Sequence, residues 1–165
     1  MKSLRFQEDM KVYPILSPAD ITSTATNTQY IDLKYIHRGT LALHFGSMTS
    51  DSTDTVTVTL QCSTATSSNA TELALAFNYR LSSTLATDSM GAITAATTDG
   101  VALTAADDGK VLLVDVDPAA VANAGTDYRY IRAVITPSSG VAACVVGAVA
   151  YLDIRYAQNA QPSSS

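Results

Sequence analysis

The sequence predicts an all-β protein, an antiparallel β-sandwich of the jelly-roll-like kind, on three observations. Apolar and polar residues alternate with a period of two over several segments of the 165-residue chain, as in strands with one buried face. The connections between these segments are rich in Ser, Thr, Asn, Asp and Gly, the residue types of turns. Helix signals occur in one short segment, residues 117–125. Roughly seven or eight strands with almost no helix indicate a sandwich.

The clearest strand signals lie in two segments. In residues 54–62, DTVTVTLQC, the apolar Val56, Val58 and Leu60 fall on one face and threonines fall on the other. In residues 71–81, TELALAFNYRL, every odd-numbered position from 73 onward is apolar or aromatic, which predicts a single half-buried strand. Further strands are predicted in QYIDLKYI (29–36), GTLALHFG (39–46), KVLLVDVD (110–117), YRYIRAVIT (128–136) and VAACVVGAVAYLDIRY (141–156).

Single residues predict where these elements bend, begin and end. Gly147 predicts a bulge or bend in the last strand, because the apolar positions change parity beyond it. Segment 128–136 is predicted to be a central strand, with the following PSSG as its exit turn. In the helix, Asp117 is the expected N-cap, Pro118 belongs to the first turn and Gly125 ends it.

Three parts of the chain differ in composition. Residues 1–20 are predicted to form an extended N-terminal arm, because Pro14 and Pro18 prevent a continuous helix. Residues 21–157 form the predicted sandwich, and residues 158–165 a flexible polar tail. We expect removal of residues 1–16 to leave a folded domain that assembles or docks poorly. The apolar side chains of the arm are candidates for covering a neighbouring molecule: Leu4, Phe6, Tyr13, Ile15 and Leu16.

The charge of the chain disfavours nucleic acid and membranes as partners. The formal net charge is −5, the sequence pI is about 4.7, and the basic residues are scattered along the chain. Binding to phosphate backbones needs a basic face, which this pattern does not predict. No apolar run is long enough to span a membrane, and charged residues interrupt the N-terminus where a signal peptide would be apolar. We therefore expect the chain to be made and kept in a cytoplasm, or to leave it only when the cell that makes it lyses.

The sequence predicts no catalytic, metal-binding or cofactor-binding residues. His37 and His44 have no Cys or Asp at the spacing of a zinc site. We expect His37 and Arg38 at a turn, and His44 near a surface or at an interface. Asp115 and Asp117 could share one side of a strand, and their expected role is that of solvated acids. No nucleophile elbow or phosphate-binding loop occurs. An enzyme is the least favoured class.

The two cysteines, Cys62 and Cys144, each lie within an apolar or alternating run. A chain without export signals favours two buried free thiols. A disulfide between them stays open at this point.

The chain resembles the small virion structural proteins of tailed bacteriophages, in particular the capsid decoration (cement) proteins. The features that carry the resemblance are the proline-containing arm, the Thr- and Ala-rich all-β domain, the DYRYIRAVITPSSG strand and the aromatic-rich final AVAYLDIRY. The resemblance implies a β-sandwich, often trimeric, that sits on the outer shell of the virion and binds the major capsid protein. The alternatives are a phage neck or tail protein and a receptor- or carbohydrate-binding sandwich module.

Segment 128–136 also supplies the candidate contact for self-association. Tyrosine and arginine are the residue types of interface hot spots. If Ile131, Ala133 and Ile135 point into the core, the alternate residues point outward. These outward candidates for a homotrimer interface are Tyr130, Arg132 and Val134.

Overall fold

The structure is a computed structural model, and it confirms the predicted all-β architecture, with two antiparallel sheets packed face to face. It describes residues 10–22, 24–49, 53–67, 70–83 and 89–154. The predicted tail, residues 158–165, and the first nine residues of the predicted arm lie outside this part of the chain.

Twelve strands and one α-helix are described. The strands are β1 (Met10–Asp20), β2 (Thr26–Asn27), β3 (Ile31–Asp32), β4 (Ile36–Thr49), β5 (Val56–Ser63), β6 (Glu72–Leu75), β7 (Phe77–Leu81), β8 (Thr94–Ala96), β9 (Val101–Leu103), β10 (Val111–Val116), β11 (Tyr130–Pro137) and β12 (Ala143–Ile154). Helix α1 spans Pro118–Asn123, and a single 3-10 turn spans Ala105–Asp107.

Two sheets form the sandwich. Sheet A has the strand order β1-β12-β4-β10-β7-β8, so β1 and β8 are its edges. Sheet B has the order β2-β11-β5-β6, with β3 also pairing with β11 and β9 with β5. Strand β11 is therefore central, as its sequence predicted, and Ser138 to Gly140 form its exit turn.

The core fills the space between the two sheets. The alternation predicted for β5 is confirmed, since Val56, Val58 and Leu60 are buried while the threonines between them are partly exposed. On sheet A, Leu41 and Leu43 of β4 are fully buried and face the same space. Burial of branched aliphatic side chains on both inner faces is what holds two sheets together, at about 1.5–3 kcal/mol for each side chain.

The predicted irregularity at Gly147 is wrong in its position. The register of β12 with β4 shifts between Cys144 and Val146, where β4 contains one residue more than β12. The extra residue lies at Gly46–Ser47 of β4, and the burial pattern of β4 changes parity there. The bulge therefore belongs to the partner strand, while the buried positions of β12 keep one parity throughout.

Gly147 instead allows a close approach of the edge strand. It pairs regularly with His44 of β4. A Cβ atom at Gly147 would lie 3.2 Å from Cγ of Pro18 on β1, so a larger residue would push that proline away.

The predicted arm differs from the structure over residues 10–20. These residues form β1, which pairs with β12 from Met10 opposite Asp153 to Asp20 opposite Val145. Two register shifts interrupt the pairing. At the first register shift, the side chain of Ile15 lies in the core and is 3% exposed. The backbone carbonyl of Ile15 accepts a hydrogen bond from the backbone N–H of Gln29 at 2.8 Å. This part of the arm thus belongs to the fold.

Segment 71–81 forms two strands and not the one predicted. The chain leaves sheet B after β6, passes through Ala76 and enters sheet A as β7. Because the two strands belong to different sheets, the odd-numbered residues do not share one environment. Phe77 is buried, whereas Leu73 is 43% exposed.

Segment 29–36 likewise does not form one continuous strand. Strand β3 ends at Asp32, a turn follows, and β4 begins at Ile36. His37 and Arg38 consequently lie in β4, and the turn predicted for them is wrong. The register shift opposite Asp153 and Ile154 of β12 places a second bulge at this end of β4.

The predicted helix is confirmed in its position and its N-cap. The side-chain oxygen of Asp117 accepts a hydrogen bond from the backbone N–H of Ala119 at 2.9 Å, and Pro118 occupies the first turn. The helix ends at Asn123, two residues before Gly125, and buries Val121. The described residues contain no helix with the length and apolarity that a membrane crossing requires.

Candidate interaction surfaces

The outer face of sheet B carries the outward residues of β11. Ile131 and Ala133 are fully buried, so the predicted orientation of the strand is confirmed. Tyr130, Arg132 and Val134 are partly exposed on the opposite side. The register brings polar residues of the neighbouring strands beside them.

Seven residues on this face contact one another, and we call them the tyrosine–arginine cluster. They come from β3, β5, β6 and β11 and from the residues just before β3 and β11: Tyr30, Asp32, Gln61, Glu72, Arg129, Tyr130 and Arg132. Residues up to 102 positions apart in sequence meet here because adjacent strands align them.

Arg132 is held on three sides. Its Nη2 lies 2.6 Å from Oε1 of Glu72, and its Nε and Nη2 donate to Oε1 of Gln61 at 3.2 and 3.1 Å. The guanidinium carbon is 4.7 Å from the ring centroid of Tyr30, a cation–π distance. Only 15% of the Arg132 side chain is exposed, so the group is fixed in one orientation.

A second arginine is bound at the other end of the cluster. Arg129 Nη2 lies 2.7 Å from Oδ2 of Asp32 and donates to the hydroxyl of Tyr130 at 2.7 Å. Its guanidinium carbon is 4.8 Å from the ring centroid of Tyr130. The rings of Tyr130 and Tyr30 meet edge to face, with centroids 6.5 Å apart and an interplanar angle of 74°.

The hydroxyl of Tyr30 acts as a hydrogen-bond donor. It donates to a carboxylate oxygen of Glu72. Burial raises the pKa of Tyr30, and the hydrogen bond to Glu72 raises the same pKa further, so the phenol stays neutral at physiological pH. Each arginine of the cluster has a carboxylate partner and covers one face of a tyrosine ring. Such a pre-organised set suits the recognition of a protein surface.

The outer surface of sheet A, which we call face A, has a different composition. Its middle is formed by half-buried or exposed aliphatic side chains. Three adjacent strands place Val149, Ala42 and Leu113 in one cross-strand row, which continues to Pro14 on one side and Arg80 on the other. Because the row spans β1, β12, β4, β10 and β7, this apolar strip crosses most of the sheet.

Two of the large exposed hydrophobic side chains lie on this same surface. Val12 of β1 is 48% exposed and stands opposite Tyr151. Val145 of β12 is 39% exposed, and a Cβ atom built on Gly46 would lie 3.3 Å from its Cβ. Gly46 and Gly147 thus keep this part of the surface flat.

A groove of about 470 Å³ lies at one end of face A. The ion pair between Arg38 Nε and Asp153 Oδ2, at 3.3 Å, forms part of its wall. Thr40, Asp115 and Tyr151 from three neighbouring strands complete its polar lining.

A smaller cleft of about 230 Å³ opens between the sheets near β7 and α1. Leu60, Leu75, Phe77 and Ile131 are among its lining residues. The volume is below the range of about 300–1,000 Å³ that is usual for small-molecule sites.

The candidate interface residues of the arm lie in different places. Leu4 and Phe6 are outside the described residues. Tyr13 and Leu16 are partly buried and pack against the core, and Lys11 Nζ lies 5.0 Å from the ring centroid of Tyr13. Ile15 is a core residue, which corrects its assignment to an interface.

Both cysteines are free and buried, as the sequence favoured. Burial, followed by the nearby negative charges of Asp20 and Asp108, raises the pKa of Cys144 to about 11. Burial also raises the pKa of Cys62. Both thiols therefore stay protonated at neutral pH and behave as small apolar core residues.

The histidines and acidic residues do not gather into a metal site within the described residues. His37 and His44 are exposed on β4, seven positions apart. Asp115 is exposed near the end of β10, while Asp117 caps α1. The two aspartates thus occupy different elements.

No family model matches the chain, and a search of curated proteins finds no match. One similar chain comes from a solved structure described as "Structure of infectious bursal disease virus Gt strain". It is 13% identical with a TM-score of 0.26, and the match covers 88% of this chain and 40% of that chain. The present chain thus spans less than half the length of that viral chain. The likeness is weak, concerns a virus that is not a phage and carries no argument about function.

Proposed function

We propose that the protein is a non-enzymatic virion structural protein, a capsid decoration (cement) protein that binds the outer shell and stabilises the assembled head. Its proposed partners are the major capsid protein and further copies of itself in a homotrimer. It is made in the host cytoplasm and resides on the capsid surface of the virion. Nucleic acid and membranes are not among its partners, in keeping with a net charge of −5.

The observation that carries the proposal is the tyrosine–arginine cluster. Tyr130 and Arg132 project from a central strand whose other side is fully buried, so their backbone is rigid. The ion pairs with Asp32 and Glu72 hold both arginines in place before any partner arrives. Binding then costs little side-chain entropy, and tyrosine and arginine are the residues that dominate binding energy at protein interfaces.

Stabilisation of a shell follows from selective binding. A protein that binds the assembled form, and not the free subunit, shifts the equilibrium toward assembly by mass action. The sandwich supports this role because the cluster presents a fixed pattern of charges and rings, which fits only a surface with a fixed geometry.

Co-sedimentation with purified shells tests the proposal. The protein should bind assembled shells and not the unassembled major capsid protein. The double variant Arg129→Ala with Tyr130→Ala should weaken shell binding by about tenfold or more, because two hot-spot side chains are removed. The matched control is Thr136→Ala on the same strand, which is outward and exposed and should bind like the wild type. Equal binding of both variants would remove the cluster from the contact, and binding to free subunits would contradict the cement role.

The groove on face A favours a second candidate, a carbohydrate- or receptor-binding module of the capsid, neck or tail. Hydroxyl, carboxylate and guanidinium groups beside the Tyr151 ring are the groups that bind sugars. Glycan binding that Asp115→Ala abolishes would favour this candidate over the shell contact.

A further inference from the structure

A row of polar side chains crosses the end of face A beside the groove. Tyr151 stands opposite Thr40, and Thr40 stands opposite Asp115, so adjacent strands bring these three side chains together on the outer face. The register of β10 with β7 extends the row to Asn78, which lies beside Asp115. We call Tyr151, Thr40, Asp115 and Asn78 the polar row. Because adjacent strands lie about 4.8 Å apart, the row is about 14 Å long.

The polar groups of this row are available to a ligand. Asp115 and Asn78 are exposed, and Thr40 is half-buried. Within the described part of the chain, none of these three side chains forms a hydrogen bond or an ion pair with another protein group. Beside them, Arg38 and Asp153 neutralise each other at 3.3 Å. A hydroxyl, a carboxylate and a carboxamide supply both donors and acceptors, which suits a ligand rich in hydroxyl groups.

The smaller cleft of about 230 Å³ adjoins one end of the polar row. Asp115 lines both the groove and this cleft, and Asn78 also lines the cleft. The rest of its lining includes the buried side chains of Leu60, Phe77 and Ile131. An apolar cavity of about 150 Å³ holds a molecule of the size of benzene, so the cleft has room for one substituent of a larger ligand. Such a ligand should carry an apolar group next to its polar part.

An acetamido group has the composition that this junction requires. Its methyl group is apolar and suits the lining of the cleft. Its amide N–H can donate to the carboxylate of Asp115, and its carbonyl oxygen can accept from the side-chain amide of Asn78. A sugar with a hydroxyl group at the same position would leave the apolar lining without a partner. A sugar with an ammonium group there would bring a charge against buried apolar side chains, which is costly.

We propose that the polar row binds a glycan with acetamido groups, whose hydroxyls contact Thr40 and Asp115 and whose acetamido methyl group enters the cleft beside Asn78. The proposal rests on the second candidate function, glycan binding at this groove, and names the class of sugar. At the other end of the row, Tyr151 and the exposed Val12 stand opposite each other and offer an apolar surface to a sugar ring. The tyrosine–arginine cluster lies on the opposite sheet, so shell binding and glycan binding are tested separately.

Isothermal titration calorimetry with three matched sugars tests the proposal. The sugars are the β-1,4-linked trimers of N-acetylglucosamine, of glucose and of glucosamine, which differ in one substituent: acetamido, hydroxyl or ammonium. The wild type should bind the acetamido trimer about tenfold more tightly than either of the others, because one apolar contact and two hydrogen bonds are added.

Variants of the cleft locate the acetamido group. Ala120 lines the cleft, so Ala120→Leu narrows it and should reduce the tenfold preference to about twofold or less. Asn78→Ala removes the amide donor at an exposed position and should have the same effect. The matched control is Ala119→Leu, because Ala119 is exposed on the same helix and is not among the described residues that line the cleft. Circular dichroism of each variant should keep the β spectrum of the wild type.

The outcomes separate this proposal from the proposed function. Equal affinity of the wild type for the acetamido and glucose trimers, or tighter binding of the glucosamine trimer, would overturn the acetamido assignment. A preference that survives in both Ala120→Leu and Asn78→Ala, or that Ala119→Leu loses equally, would overturn the place of the acetamido group in the cleft. If none of the three trimers binds, the proposal and the second candidate function both fail. Shell binding is measured by co-sedimentation, so its loss or retention bears on the cement role alone.

Discussion

At the scale of single residues, Arg132 shows how a residue typical of interfaces also contributes to stability. Its guanidinium is bound to Glu72 and Gln61 and lies over the ring of Tyr30, and only 15% of its side chain is exposed. Arginine and tyrosine in one strand indicated a contact surface from the sequence. The partners of Arg132 come from distant segments, so no local pattern in the chain could identify them.

Arg132→Glu is therefore expected to lower the free energy of unfolding by about 1–3 kcal/mol. The substitution places a second carboxylate beside Glu72 and leaves Gln61 without its donor. Thr136→Glu, exposed and outward on the same strand, is the control and should change stability by about 0.5 kcal/mol or less. Urea denaturation measures both values. Equal stability of the two variants would mean that the ion pair contributes nothing to the fold.

At the scale of elements, the sequence predicted strands well where one face is buried along the whole strand. Strand β5 shows this, because Val56, Val58 and Leu60 reach the core in regular alternation. The pattern gave wrong predictions where the chain passes from one sheet to the other, and where a bulge shifts the buried positions of a strand by one residue. The break at Ala76 and the bulge at Gly46–Ser47 depend on the positions of neighbouring strands, which a local period cannot encode. The short strands β8 and β9 were missed for the same reason, since three residues show no period.

The deletions of the N-terminus test the boundary of the fold. Removal of residues 1–9 should retain every described strand. Removal of residues 1–16 takes away Ile15 and most of β1, and it uncovers the edge of β12. Loss of the Ile15 side chain alone is worth about 2–5 kcal/mol, so this longer deletion should unfold at clearly lower urea concentration or aggregate.

Urea unfolding of both deletions, followed by circular dichroism, compares them with the full chain. This expectation reverses the one drawn from the sequence, where residues 1–16 were assigned to a separable arm. A stable and soluble protein after the longer deletion would restore that assignment.

At the scale of the whole molecule, the sandwich separates two surfaces that the sequence did not distinguish. Both sheets alternate apolar and polar residues, and the alternation alone does not indicate which outer face is aliphatic. The difference arises from register, which aligns Val149, Ala42 and Leu113 across sheet A and aligns charged partners across sheet B. The composition, with only 15% charged residues, did indicate that the outer faces carry few charges.

The net charge predicts how the proposed self-association depends on salt. Copies with a net charge of −5 repel one another, and the repulsion weakens as the Debye length falls from about 10 Å at 0.1 M salt to about 3 Å at 1 M. Apolar contacts between copies would not be screened by salt. The association constant from sedimentation equilibrium should therefore rise with sodium chloride across this range. A fall would show that ion pairs between copies, and not apolar contacts, hold the oligomer together.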